Sequence, residues 1–364
     1  MEQIVPFIDK PFVKVITGIR RSGKSVVLRL IRDELLRRGV REERIIYLNF
    51  ESFQWIDLKE AKALYAYIRG QAGDAGKYYI LLDEIQEVDG WEKVVNSLLV
   101  DLDTDIYVTG SNSKLMSSEI STYLTGRYVS IPVYTLSFKE YLDFKADSTL
   151  SRRELLEEYI RFGGFPIIAL SEYDEQSAYQ IVNGIYHTVV SRDIVKRHRI
   201  NKQDLFDRVV KYIIENMGKT FSANAISTFL KSEHRKVSVE SIYNYLRWLE
   251  QAFIIYPCER YDLQGKSILK TQEKYYLADV SLKYALLGYN RKMLDGAMEN
   301  IVYLELKRRG YDVYIGKNDT KEIDFVATRR DERIYVQVCV RIPEASDREV
   351  GNLMEIRDHY PKYV

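Results

Sequence analysis

The sequence predicts an α/β protein. A parallel sheet flanked by helices comes first, a helical middle follows, and a smaller α/β domain closes the chain. Three observations lead to this reading. Between 13 and about 146, short β-rich runs alternate with helix-period segments, the pattern of βαβ units around a parallel sheet. From 147 the alternation stops and helices follow one another. From about 296 one helix leads into three strands and a final helix. The expected domains are therefore 1–146, 147–203, 204–290 and 291–364.

The strands of the first domain fall at 13–17 (VKVIT), 44–50 (RIIYLNF), 78–82 (YYILL), 105–109 (DIYVT) and 128–134 (YVSIPVY). The run YYILL is apolar throughout, as suits a central strand covered on both faces. Helix-period segments lie at about 24–38, 58–69, 91–101, 112–124 and 137–145. Residues 151–216 read as helices broken at RFGGFPII, 161–168. Within 204–256, DLFDRVVKYIIENMG, SANAISTFLKS and SVESIYNYLRWLEQAF each have helix period and begin near Asp204, Ser222 and Ser238 or Ser241. IIYPCERYD and KYYLADV then read as paired strands, so this part has the outline of a winged helix-turn-helix.

Bulk composition narrows the partners. The 54 basic and 53 acidic residues nearly cancel, so affinity for nucleic acid has to come from a local patch. The two cysteines, Cys258 and Cys339, form neither a disulfide framework nor a zinc signature. No run of 18 apolar residues and no signal peptide occurs, so the expectation is a cytoplasmic protein without a membrane span.

The chemistry is densest at GIRRSGKS, 18–25, between strand VKVIT and the helix opening at 24. A loop of this spacing aims backbone amides at phosphate oxygens, and the helix adds the positive end of its dipole. The expected nucleotide contacts are Gly18, Ile19, Arg20, Arg21, Ser22, Gly23, Lys24, Ser25 and Val26. Lys24 reaches the β and γ phosphates and Ser25 binds magnesium. Sixty residues on, YYILLDEIQ brings Asp83 to the magnesium shell and Glu84 to the attacking water. Adjacent acids at this strand end favour hydrolysis over simple binding. ATP and Mg²⁺ are the expected substrate and cofactor.

These residues carry a family resemblance. GIRRSGKS, LLDEIQ and the block 109–142 resemble the prokaryotic AAA+-type ATPases of the ASCE class of P-loop NTPases, in which a C-terminal domain of uncharacterised function usually follows the motor. RFGGFP (161–166) and SRDIVKRHRI (191–200) suggest that domain here, with 147–203 as a helical lid or connector. The resemblance implies that Asn112 or Ser113 senses the γ-phosphate and that Arg127 is an arginine finger serving a neighbouring subunit, hence a homo-oligomer. It also implies that Asn49 holds Glu84 back until a partner binds, and that Gly164 and Pro166 form a GxP element at the nucleotide base. Plainer readings stay open: Asn112 as a helix cap, Arg127 as a surface arginine, Asn49 as a turn residue. The resemblance favours ATP over GTP.

Two further segments bear on partners. Ser241, Asn244, Tyr245 and Arg247 are set to read a DNA groove, and the basic segment 192–202 (Arg192, Lys196, Arg197, His198, Arg199, Lys202) is set to meet phosphates; a protein partner is the alternative. His187 and His198 have no metal-ligand spacing. Glu299, Asp324 and Gln337 have the spacing of a PD-(D/E)XK nuclease core, the restriction-endonuclease-like fold. Here, however, Gln337 replaces the second-strand acid and Cys339 the lysine. A neutral amide is a weaker ligand for a hard cation, so a degenerate domain without cleavage is expected. The chain ends at PKYV, where such a core adds a strand, which suggests a shortened member of its family. The functional expectation is ATP hydrolysis coupled to remodelling of DNA or a protein. A slow nucleotide-gated switch and an ATP-dependent nuclease are the rival readings.

Overall fold

A computed structural model describes every residue except 2, 74, 75, 113, 114, 116–122, 201, 236, 266, 291–293 and 341–347. The chain forms two compact units, Met1–Val133 and Tyr134–Val364.

In the first unit five strands form one sheet: β1 (Val13–Thr17), β2 (Ile45–Asn49), β3 (Tyr78–Asp83), β4 (Thr104–Gly110) and β5 (Tyr128–Pro132). The order is β2-β3-β4-β1-β5 and every pairing is parallel. Helices α1 (Lys24–Arg37), α2 (Ala61–Gln71) and α3 (Trp91–Asp101) connect the strands. Residue alternation divides the strands between two cores. Val13, Val15, Ile80 and Leu82 pack on one face with Leu64, Ile68, Val95 and Leu98. Ile16, Tyr79, Leu81 and Tyr107 pack on the other with Leu28, Ile31 and Leu35. Each such side chain withdrawn from water contributes about 1.5–3 kcal/mol. Two-sided burial explains why these strands read as continuous apolar runs. Most of the expected segment 112–124 lies outside the described residues.

The second unit opens with helices α4 (Phe138–Phe144) and α5 (Arg152–Phe162). Each starts with a capping box, Ser137 with Glu140 and Ser151 with Glu154. Then come α6 (Glu175–Thr188), α7 (Gln203–Glu215), α8 (Ala223–Ser232) and α9 (Val239–Gln251). Ser222 and Ser238 cap α8 and α9 as expected. Asp204 does not cap α7; it lies in the first turn and pairs with Arg235 at 3.0 Å.

The hairpin that follows is not a free wing. Strand β6 (Ile255–Asp262) pairs antiparallel with β7 (Ser267–Leu277) on one side and parallel with β8 (Asp312–Asn318) on the other. With β9 (Lys321–Arg329), β10 (Glu332–Val336) and β11 (Lys362–Tyr363) they make a six-stranded sheet, β11-β10-β9-β8-β6-β7. Helices α10 (Ser281–Leu287) and α11 (Leu294–Arg308) lie between β7 and β8 in sequence, and α12 (Arg348–Met354) follows β10. One sheet thus runs across the expected boundary at 290/291. Short-range pattern shows a hairpin but not its third neighbour, which arrives about 50 residues later in sequence. The final residues PKYV supply β11, with Tyr335 facing Lys362 in parallel register.

Candidate nucleotide-binding site

The sheet order sets the geometry. Strand β4 lies between β1, which leads into GIRRSGKS, and β3, which ends at Asp83. The carboxyl ends of three parallel strands thus bring the loop, the acid pair and Gly110–Asn112 to one edge, where ligands of open α/β sheets bind.

The loop depends on its glycines. Gly18 has φ 151°, and a Cβ there would stand 2.1 Å from the Val133 carbonyl oxygen. Gly23, at φ 102°, precedes the first residue of α1, which is Lys24. Arg21 is also left-handed, at φ 68°, and exposed. The Ser22 amide donates to the Ile19 carbonyl at 3.2 Å, closing the turn. The Ile19 side chain is buried in the unit, and Arg20 pairs with Glu51. Ser25 is half-buried in the first turn of α1, and Val26 is exposed.

Lys24 is buried, donates to the Ile19 carbonyl at 3.1 Å and lies 3.9 Å from Glu84. Asp83 is fully buried, accepts from Thr109 Oγ1 and from the Tyr47 hydroxyl at 3.3 Å. Burial, then the Asp83 charge, pushes the Tyr47 phenol up to about 12. The Glu84 backbone is left-handed, at φ 53°, and its amide donates to Thr109 Oγ1 at 2.9 Å. Its carboxylate accepts from Gln86 and, at 3.2 Å, from Ser111. Asn112 is buried just beyond β4; Ser113 lies outside the described residues. Asn49 Oδ1 accepts from the Glu51 amide at 2.9 Å, a local turn bond of the kind Asn commonly makes.

The fit to a nucleotide and its magnesium rests on two features. Ser22 Oγ is buried with no hydrogen-bond partner among the described residues, a hydroxyl donor left over in the loop. An ammonium and two carboxylates also converge next to a helix N-terminus, a donor set that suits phosphate and a hard cation.

Over its full length the chain is 42% identical to an uncharacterized protein of Haemophilus influenzae, 91% of which it covers. The chain belongs to that protein's family. An uncharacterized protein of Methanocaldococcus jannaschii is 32% identical across 93% of this chain and 77% of its own length. Residues 10–142 match the family described as an AAA domain, and 153–292 match one described as a domain of unknown function. Among solved structures, the Walker-type ATPase of Pyrococcus abyssi superposes with a TM-score of 0.54 at 14% identity, covering 78% of this chain and 93% of that one; this is a likeness of fold. The first unit is therefore an AAA-type P-loop ATPase domain.

In the AAA domain Arg127 is exposed in the turn before edge strand β5, and its carbonyl accepts from the Val13 amide. Pro166 lies in the second unit, where it opens the short helical turn Pro166–Ala169. The glycines before it serve packing there. A Cβ on Gly163 would stand 1.7 Å from Asp279 Oδ1, and the Gly164 amide donates to Asp279 Oδ2 at 2.8 Å.

Of the four residues expected at a DNA groove, Tyr245 is buried against Phe206, because its position on α9 faces α7. Arg247 is exposed, Ser241 and Asn244 are half-buried, and Tyr243, which the sequence reading passed over, is exposed. In the basic segment Arg192, Lys196, Arg199 and Lys202 are exposed. The His198 ring stacks on Trp248 of α9 at 4.2 Å, which joins this segment to that helix. Residues Val189–Val195 form a π-helix, a form that often marks functional segments.

In the six-stranded sheet Asp324 and Gln337 are neighbours. The Asp324 amide donates to Gln337 Oε1 at 3.4 Å, and the Val338 amide to Asp324 Oδ2 at 2.8 Å. Burial, then Glu299, raises the Asp324 carboxyl to about 7. Sequence reading missed Lys274 of β7. Its buried ammonium lies 3.5 Å from Glu299 and 2.7 Å from Glu322. Burial opposes that charge, and Glu299 and Glu322 outweigh it to hold the lysine above its ordinary value.

Proposed function

We propose that this protein is a magnesium-dependent ATP hydrolase whose turnover drives remodelling of bound DNA or of a protein partner. The observation that carries the reading is the convergence of Lys24 with Asp83 and Glu84 at one sheet edge, with Lys24 Nζ 3.9 Å from Glu84. The loop Gly18–Val26 wraps the phosphates with backbone amides, and Lys24 turns its ammonium to the β and γ phosphates. Ser25 and Asp83 hold magnesium, which when bound offsets phosphate charge. Glu84 accepts the proton of the attacking water, and Asn112 orients the terminal phosphate. Arg127 acts on the site of a neighbouring copy, and Asn49 is a peripheral contact. The protein works in the cytoplasm.

The second unit is the coupling and binding part. Helices α7–α9 with the β6–β7 hairpin are a winged helix-turn-helix embedded in a degenerate nuclease-like sheet. The His198–Trp248 stack supports one DNA-facing surface made of α9 and the basic segment. Gln337 and Cys339 argue against cleavage.

The test is phosphate release by wild type, Lys24→Ala and Glu84→Gln, with nucleotide affinity measured in parallel. Lys24→Ala should lose both binding and turnover. Glu84→Gln should keep binding and lose about 10²-fold or more in turnover. Unchanged turnover in Lys24→Ala would sink the assignment.

A further inference from the structure

We infer that Gln86 is a positioning residue for hydrolysis, pinning one oxygen of Glu84 so that the other faces the reacting phosphate. The inference rests on the ATPase reading above. Gln86 lies in the single turn Ile85–Glu87 that follows β3, and its Nε2 donates to Glu84 Oε2. Ser111 Oγ, at the end of β4, donates to the same oxygen at 3.2 Å. Two donors from two strand ends thus fix Oε2. Oε1 is the oxygen 3.9 Å from Lys24 Nζ, the group that meets the terminal phosphate. The base oxygen and the phosphate-binding ammonium are therefore already side by side.

The far end of the Gln86 amide shows what orients it. Gln86 Oε1 is buried and has no hydrogen-bond partner among the described residues. A buried carbonyl left unpaired is costly, so an amide free to choose would not settle there. Exchanging the two ends would set the carbonyl against the Glu84 carboxylate, which is worse. The bond to Glu84 thus dictates the orientation. The sequence makes room for it at Gly110, where a Cβ would stand 2.4 Å from Gln86 Oε1 and 1.9 Å from Leu115 Cδ1.

In the reaction the water oxygen bonds to the terminal phosphorus. The bridging P–O bond breaks with its electron pair on the ADP oxygen, and the water proton passes to Glu84 Oε1. Gln86 touches none of these atoms. It removes the rotation that would carry Oε1 away from the water, and correct orientation of a base is a large part of its catalytic worth.

The experiment compares Gln86→Met, which keeps length but cannot donate, with Ser111→Ala, in wild-type and Glu84→Gln backgrounds. Turnover is measured beside the affinity for a fluorescent ATP analogue, with Lys24→Ala as the blank. Gln86→Met is expected to lower kcat about tenfold with nucleotide affinity unchanged, and Ser111→Ala to lower it less. In the Glu84→Gln background neither should lower the residual single-turnover rate further, because the carboxylate they position is gone. Unchanged kcat, affinity falling in step with kcat, or a loss that persists without Glu84 would overturn the inference. Ser111→Ala provides the same comparison if Gln86→Met is poorly folded. Wild-type turnover no faster than Lys24→Ala would overturn the ATPase reading and this inference with it.

Discussion

At the scale of single residues, charge is placed where a neighbour can answer it. Lys24 is answered by Glu84, and Lys274, almost wholly buried, by Glu299 and Glu322. Removing one partner of a buried pair costs more than the pair contributes, because the other charge is left stranded. Lys274→Met should therefore destabilise the second unit by about 3 kcal/mol. A denaturant titration reporting on that unit measures it, and an unchanged midpoint would mean that water already serves these carboxylates. The difference in legibility between the two clusters is physical. Gly18, Lys24, Asp83 and Glu84 belong to short motifs whose spacing is fixed by one turn and one strand end, so sequence alone names them. Lys274, Ser111 and Gln86 act through contacts that the fold creates. Lys274 lies 25 residues before Glu299, and nothing local marks it.

At the scale of elements, periodicity was sufficient where one face or both faces of an element are buried by near neighbours. The five strands and α1–α3 of the AAA domain were legible because each βαβ connection is short and buries a continuous apolar run. The β6–β7 hairpin was legible as a hairpin but not as the edge of a larger sheet, since its pairing with β8 depends on distant residues. Helix α9 shows both outcomes. Its stripe Ile242, Leu246 and Leu249 was foreseen as apolar, yet Tyr245 joins it because a tyrosine can bury its ring. Near its end, burial and then Glu273 lift the Glu250 carboxyl to about 7, with Arg247 pulling the other way. An unfolded glutamate titrates near 4.3. Between those values the folded chain holds a proton that the unfolded chain lacks. Stability is therefore lost as pH rises through that window. Glu250→Gln should raise stability at pH 8 by on the order of 2 kcal/mol and change little at pH 4. Melting curves at the two pH values measure this, and an equal effect at both would show that folding does not raise the Glu250 carboxyl.

At the scale of the whole molecule, the question is whether one chain holds a complete catalytic site. The loop, the acid pair and Asn112 meet at one sheet edge, but Arg127 is exposed in the turn before β5, and no hydrogen bond of its guanidinium to the site residues of its own chain is seen among the described residues. A cation that stabilises charge on the transferring phosphoryl group is worth about 10³–10⁵ in rate. If Arg127 serves the site of another copy, catalysis requires contact between chains. A net charge of +1 does not oppose such contact. Specific ATPase activity should then rise with protein concentration and level off as the assembly saturates. Arg127→Ala should remove the rise while leaving nucleotide affinity nearly intact. Mixing Arg127→Ala with Lys24→Ala, each inactive alone, should restore part of the activity, because the intact arginine of one variant reaches the intact loop of the other. Duplex DNA added to wild type should increase turnover if the surface of α9 and residues 192–202 is the coupled one. Activity indifferent to concentration and to Arg127 would instead place every catalytic group within one chain. The protein would then act as a nucleotide-gated switch that responds to a partner.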